Sequence, residues 1–172
     1  MTEAQWLTFL RTRRHEVRNG RRIRAEDIRR VEFALAEHPS SAALWNARGD
    51  FIQLHDGPPE ELDRWTLDDA LASYQRATQV APNDPEAFES IGYFYDAVED
   101  RPADAEAPFR RAVELGAGDV AAAGLARVLA ELGRADEALA FLAVVRAADP
   151  DSDELEEIEG EIRSGYWPSL AK

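Results

Sequence analysis

The sequence contains no cysteine and a single lysine, Lys172. Without cysteine there is no disulfide framework, no thiolate nucleophile and no thiolate metal site. Long apolar runs are missing too. The nearest approach, Trp6 to Leu10, is too short for a secretory core or a membrane span, and Arg11 follows at once. Histidine is scarce: His15, His38 and His55 stand alone, none with a second histidine at helix or hairpin spacing, so no metal site is expected. The run Asp149, Asp151, Asp153 fails as a calcium loop, because Glu154 stands where the turn glycine belongs and Gly160 where the bidentate carboxylate belongs. No glycine-rich phosphate cradle and no nucleophile–base pairing can be assembled. These absences argue against an enzyme and against a cofactor, and the expected location is the cytoplasm, with no membrane partner.

What the chain does have is acid, unevenly spread. Its 172 residues carry a formal charge of −14, yet residues 1–40 hold nine arginines against six carboxylates, a local +3. The remainder therefore carries −17, a body that repels nucleic acid everywhere except at the amino-terminal end. There Arg11, Arg13, Arg14, Arg18, Arg21, Arg22 and Arg24 lie around a turn at Asn19-Gly20. Five of them (Arg13, Arg14, Arg18, Arg21 and Arg22) form a candidate anion-binding arm, suited to bidentate phosphate contact. The competing reading is pairing with Glu16, Glu26 and Asp27.

The apolar residues repeat. Three helix-like stretches carry one small–large–small stripe followed by a turn residue: Ala70/Tyr74/Ala77 to Pro82, Ala105/Phe109/Ala112 to Gly116, and Ala138/Leu142/Val145 to Pro150. The leading alanines are 35 and then 33 residues apart, a mean of 34. A period of that length built from helical segments marks a stacked array of helix pairs. Leu125-Ala126, Gly133, Ala138 and Pro150 complete a large–small pair, a turn, a close-packing position and a terminator. Through these residues the sequence resembles the tetratricopeptide repeat family, over about residues 40–164.

That resemblance implies an all-α fold, an α–α superhelix of about four helix pairs with a carboxy-terminal capping helix. The expected divisions of a single domain are a degenerate helix pair acting as a cap (1–39), a first repeat (41–82) with an inserted loop (56–64), a second (83–118) and a third (119–150). A capping helix (152–164) and an aromatic tail (165–172) follow. Three departures from the family pattern stand out. Asp27 replaces a small residue, one residue is gained before Ala105, and Pro108 falls inside a second helix, where a late start or a kink is expected. Trp45, Tyr74, Phe88, Tyr95 and Phe109 are assigned to the core.

A stacked array exposes a curved inner face made mainly of first helices. The faces left over by the core stripes place Asn46, Asp50, Gln53, Glu86, Glu89, Tyr93, Asp96, Ala123 and Arg127 there. The family's best-known groove clamps a carboxylate with basic side chains; here acids stand instead, and anion would face anion. The expected partner is a basic or neutral protein segment, and the expected role is that of a scaffold, as a monomer or weak homodimer. The alternative is an RNA- or ribosome-associated factor that uses the arginine arm.

Overall fold

Short polar side chains mark where the helices begin. Thr2, Thr66, Asp84 and Ser152 each accept a hydrogen bond from a backbone N–H two or three residues on, at Gln5, Asp69, Glu86 and Leu155. Gln5 and Asp69 reach back to the capping residue's own N–H, closing two capping boxes. In the computed structural model, which describes residues 1–55 and 64–167, such caps open four of the nine α-helices described. They are α1 (Glu3–Arg18), α2 (Ala25–Glu37), α3 (Ala42–Gln53), α4 (Leu67–Val80), α5 (Pro85–Tyr93), α6 (Pro102–Glu114), α7 (Asp119–Glu131), α8 (Ala135–Ala148) and α9 (Asp153–Ser164). Among the described residues the only β-pairing is an isolated bridge between Ile23 and His55. The inserted loop lies outside the described residues apart from Arg64, as does the tail beyond Trp167.

The chain divides into two units, Met1–Asn83 and Asp84–Lys172. In the first, α3 and α4 form a close antiparallel pair because Gly49 removes the side chain that would meet Tyr74. The Tyr74 ring is buried at that notch, and its hydroxyl donates to Asp50 and Gln53, both at 3.1 Å. The helices α1 and α2 meet differently, through long side chains. Trp6 and Leu10 are buried, and Arg13, only 7% exposed, reaches the 2%-exposed Asp27 at 3.3 Å. Asp27 also accepts from the Arg24 N–H and lies 3.6 Å from Arg21. A buried carboxylate thus stands where the repeat pattern wants a small residue, and two guanidiniums compensate its desolvation.

The second unit is built around Phe109 of α6. A Cβ placed on Gly92 of α5 or on Gly124 of α7 would lie 2.7 Å from that ring. One aromatic side chain therefore fills a notch in each of two neighbouring helices. Ala105, Ala112, Ala121, Leu125, Leu129, Ala138, Leu142, Leu155, Ile158 and Ile162 complete the cluster around it. α9 covers the last apolar face with Leu155, Ile158 and Ile162, while Glu154, Glu156 and Glu157 are exposed. Trp167 packs against the same cluster, and Tyr166 stands edge-on to it, 70% exposed.

Several expectations need correction. Tyr74 and Phe109 are buried, but Trp45, Phe88 and Tyr95 are only half-buried. Trp45 stays near water because its indole N–H donates to the Pro39 carbonyl at 2.9 Å. Core positions not assigned from the sequence stripe are Trp6, Phe51, Trp65 and Phe94. The helix containing Pro108 neither starts late nor breaks, running from Pro102 to Glu114. The carbonyl deprived of its partner belongs to Asp104, an exposed residue that water can serve. The residue gained before Ala105 has a structural counterpart. After Tyr93 the helix continues as a π-helical turn, Phe94–Val98, in which the Glu99 N–H bonds back to the Phe94 carbonyl. Such a turn holds one residue more than the α-helix would.

Candidate protein-binding surface

Within the second unit, α5, α7 and α9 enclose a cavity of about 220 Å³. Its apolar part is Ala123, Ile158 and the ring of Tyr93, and its polar wall is Glu154, Glu157 and Glu161, with Arg127 beside them. The spacing of the three glutamates along α9, three and then four residues, puts them on one helix face.

Tyr93 is held on three sides. Its hydroxyl donates to the Val120 carbonyl at 3.1 Å, and its ring meets Phe109 edge-on at 5.0 Å. The guanidinium carbon of Arg127 lies 5.7 Å from the ring centroid. Burial pushes the Tyr93 phenol up to about 12, Arg127 opposes that shift, and the neighbouring carboxylates Glu89, Glu154 and Asp96 add to it. Tyr93 is therefore a neutral donor at physiological pH. Arg127 also donates through Nε at 3.0 Å, and through Nη2, to Asp96, whose side chain is 5% exposed. The positive charge beside the cavity is thereby matched locally, and the glutamates of α9 set the sign of the opening.

Two further carboxyls are raised by partial burial: Glu89, with Glu86 as the second cause, and Glu131, with Asp96 as the second cause. Burial first, and like charge second, thus disfavours the charged form of each.

The residues expected on the inner face separate into groups. Tyr93, Asp96, Ala123 and Arg127 come together in the second unit, with Ala123 and the Asp96 carboxylate buried. Glu86 and Glu89 are half-buried on α5. In the first unit Asn46 is buried at 2% exposure, and Asp50 and Gln53 serve as acceptors for Tyr74. Sequence reasoning assigned Glu154, Glu157 and Glu161 to a solvating cap and so missed them as a wall. The signal was available, since a capping helix takes the place of the next first helix and its glutamates share one face.

The arginine arm is mostly engaged internally. Arg13 is buried against Glu16 and Asp27, Arg14 pairs with Asp50 at 3.0 Å, and Arg21 pairs with Glu16 and Asp27. Arg18 and Arg22 are exposed. Among the described residues no group of three or more His, Cys, Asp or Glu could hold a metal ion, and no helix is long and apolar enough to cross a membrane.

Helix pairs notched by glycine and alanine, a bulky ring in each notch and a closing amphipathic helix define a helical-repeat protein. Residues 99–161 match the tetratricopeptide repeat family, and solved tetratricopeptide repeat proteins share the fold of the chain. No curated protein matches the sequence. A thermophilic tetratricopeptide repeat protein of Thermus thermophilus superposes with a TM-score of 0.64 at 19% identity, covering 81% of this chain and 73% of its own. PilW, a widely conserved type IV pilus biogenesis factor, gives 0.64 at 20% identity over 97% of this chain and 76% of its own. YrrB, described as having an unusual peptide-binding site, gives 0.59 at 20% identity over 79% and 66%. At such identities the likeness is one of fold.

Proposed function

We propose that this chain is a non-catalytic scaffold that holds a basic segment of another protein against the acidic face of its second unit. The observation that carries this reading is the cavity walled by Glu154, Glu157 and Glu161, with Tyr93 at its base. A lysine or arginine side chain entering there would lay its aliphatic stem on Ile158 and Ala123 and present its charge to three carboxylates. The nearest competing cation, Arg127, is occupied by Asp96. That a similarly folded protein, YrrB, is described with a peptide-binding site is consistent with such a use of the fold.

The test is a triple variant, Glu154→Ala, Glu157→Ala and Glu161→Ala. Glu154 and Glu157 are exposed and Glu161 is half-buried, so folding should survive. Anisotropy of a labelled arginine- and lysine-rich peptide, titrated in low and moderate salt, should show affinity falling about tenfold or more in the variant. Equal affinity for the variant and the parent chain would end this reading.

A further inference from the structure

The first unit carries a pocket of opposite character. Between α1 and α3 lies a cavity of about 350 Å³, lined by Ala4, Leu7, Leu10, Arg11, Arg14 and Ala43. Four of the six are aliphatic. Leu10 is 4% exposed and closes the floor, and half-buried Leu7 forms a side. Ala4, Leu7, Arg11 and Arg14 recur at helical spacing, so a single face of α1 supplies both the carbon surface and the two guanidiniums.

The two arginines differ in their state. Arg14 is fixed by Asp50 at 3.0 Å, and Asp50 is itself held by the Tyr74 hydroxyl. Arg11 is exposed; it donates to the Thr8 hydroxyl at 3.3 Å and, among the described residues, has no carboxylate within ion-pair distance. This guanidinium stands at an apolar mouth within the amino-terminal stretch, residues 1–40, whose local charge is +3.

We propose that this pocket binds a protein segment in which a large apolar side chain is flanked by Asp or Glu. The apolar side chain fills the Leu7–Leu10–Ala43 floor, and the carboxylate pairs with Arg11. Charge complementarity selects this occupant. A basic segment would meet Arg11 head-on, and a nucleic acid would find a small aliphatic cavity where stacking surfaces and several unpaired cations are needed. The volume sits at the low end of the range for ligand sites and fits one or two side chains. The binding is independent of the acidic cavity in the second unit.

The test uses the full chain and a labelled ten-residue peptide with a central Leu-Phe pair flanked on both sides by Glu, the remaining positions being Gly and Ser. Fluorescence anisotropy at low salt should show saturable binding, weakened about tenfold or more by Arg11→Glu. Replacing Leu-Phe by Ser-Ser, or the flanking Glu by Lys, should weaken it similarly. The Lys-flanked peptide should regain affinity for Arg11→Glu, a reciprocal rescue that a misfolded variant could not give. The variant lacking Glu154, Glu157 and Glu161 should bind the Glu-flanked peptide normally, which separates this site from the acidic one. No saturable binding, equal binding by Arg11→Glu, or indifference to loss of Leu-Phe would each overturn the proposal. So would full displacement of the peptide by phosphatidylglycerol vesicles together with loss of vesicle binding in Arg11→Glu, which would assign the pocket to a lipid surface.

Discussion

Glycine in this chain has opposite meanings at different positions. At Gly92 and Gly124 an added methyl would lie 2.7 Å from atoms of the buried Phe109 ring. Alanine gains about 1 kcal/mol of helix propensity over glycine, but overpacking a filled core costs about 1–3 kcal/mol, and the ring sits between two notches with nowhere to move. Gly92→Ala and Gly124→Ala should each therefore lower stability, by up to about 2 kcal/mol, in urea unfolding. Gly160 of α9 has nothing within 4 Å of a Cβ. Gly160→Ala should raise stability by about 0.5–1 kcal/mol in the same assay. Glu131 illustrates a charge effect at this scale. Burial and the nearby Asp96 carboxylate hold its proton more tightly than in the unfolded chain, and Arg127 offsets part of this. The folded state thus binds more protons than the unfolded state just above the ordinary carboxylate range, and stability falls as pH rises through that window. Glu131→Gln should stabilise the protein at pH 7, with the advantage shrinking as pH falls towards about 4.5 and absent below it. Denaturant midpoints at the two pH values check the sign.

Among the elements, helix boundaries were legible because capping residues act locally. Thr2, Thr66, Asp84 and Ser152, with Pro85 at a first helical position, announce their helices within three residues. The pairing stripe was legible because Tyr74 and Phe109 recur near the repeat period, each ring facing a glycine, Gly49 or Gly92, on the preceding helix. What resisted reading depends on partners distant in sequence. Burial of Asp27 makes sense only once Arg13 and Arg21 are beside it, and burial of Trp65 only once its indole N–H reaches Glu32 at 2.9 Å. The candidate site was partly legible: Tyr93, Asp96 and Arg127 follow from the faces of α5, its π-helical continuation and α7, while the wall on α9 was hidden by its resemblance to an ordinary solvated face. The extra residue before Ala105 could be counted but not located. Its location at Phe94–Val98 leads to an expected outcome. Deleting the exposed Ala97 should turn the π-helical turn into ordinary α-helix and leave the circular dichroism spectrum and melting temperature nearly unchanged. Deleting Ala87, in the regular part of α5, rotates Ile91 and Gly92 away from Phe109 and should abolish cooperative melting.

For the molecule as a whole, the division at Asn83 and Asp84 has an energetic basis. The cluster around Phe109 draws its buried members only from residues 105–162, so the second unit contains its own apolar core. Residues 84–172 expressed alone should give a cooperative thermal transition and a helical spectrum; a featureless melt would show that the core needs the first unit. Charge also acts at this scale. Hydrogen bonds from Arg110 and Arg134 hold Glu106 below the usual carboxylate range, and those from Arg146 and Arg163 do the same for Glu159. Their contribution is present at neutral pH and fades as acid titrates them. It acts below the ordinary carboxylate range, whereas Glu131 and Glu89 act above it, so these groups favour greatest stability where the two windows meet.

The seating of Phe109 also bears on recognition. The ring that closes the gap between α5 and α7 is the one against which Tyr93 stands edge-on, so the jaws of the acidic cavity cannot spread without emptying a glycine notch. A segment bound there as proposed would meet walls on α5 and α7 already fixed in place, and would lose little entropy in ordering them.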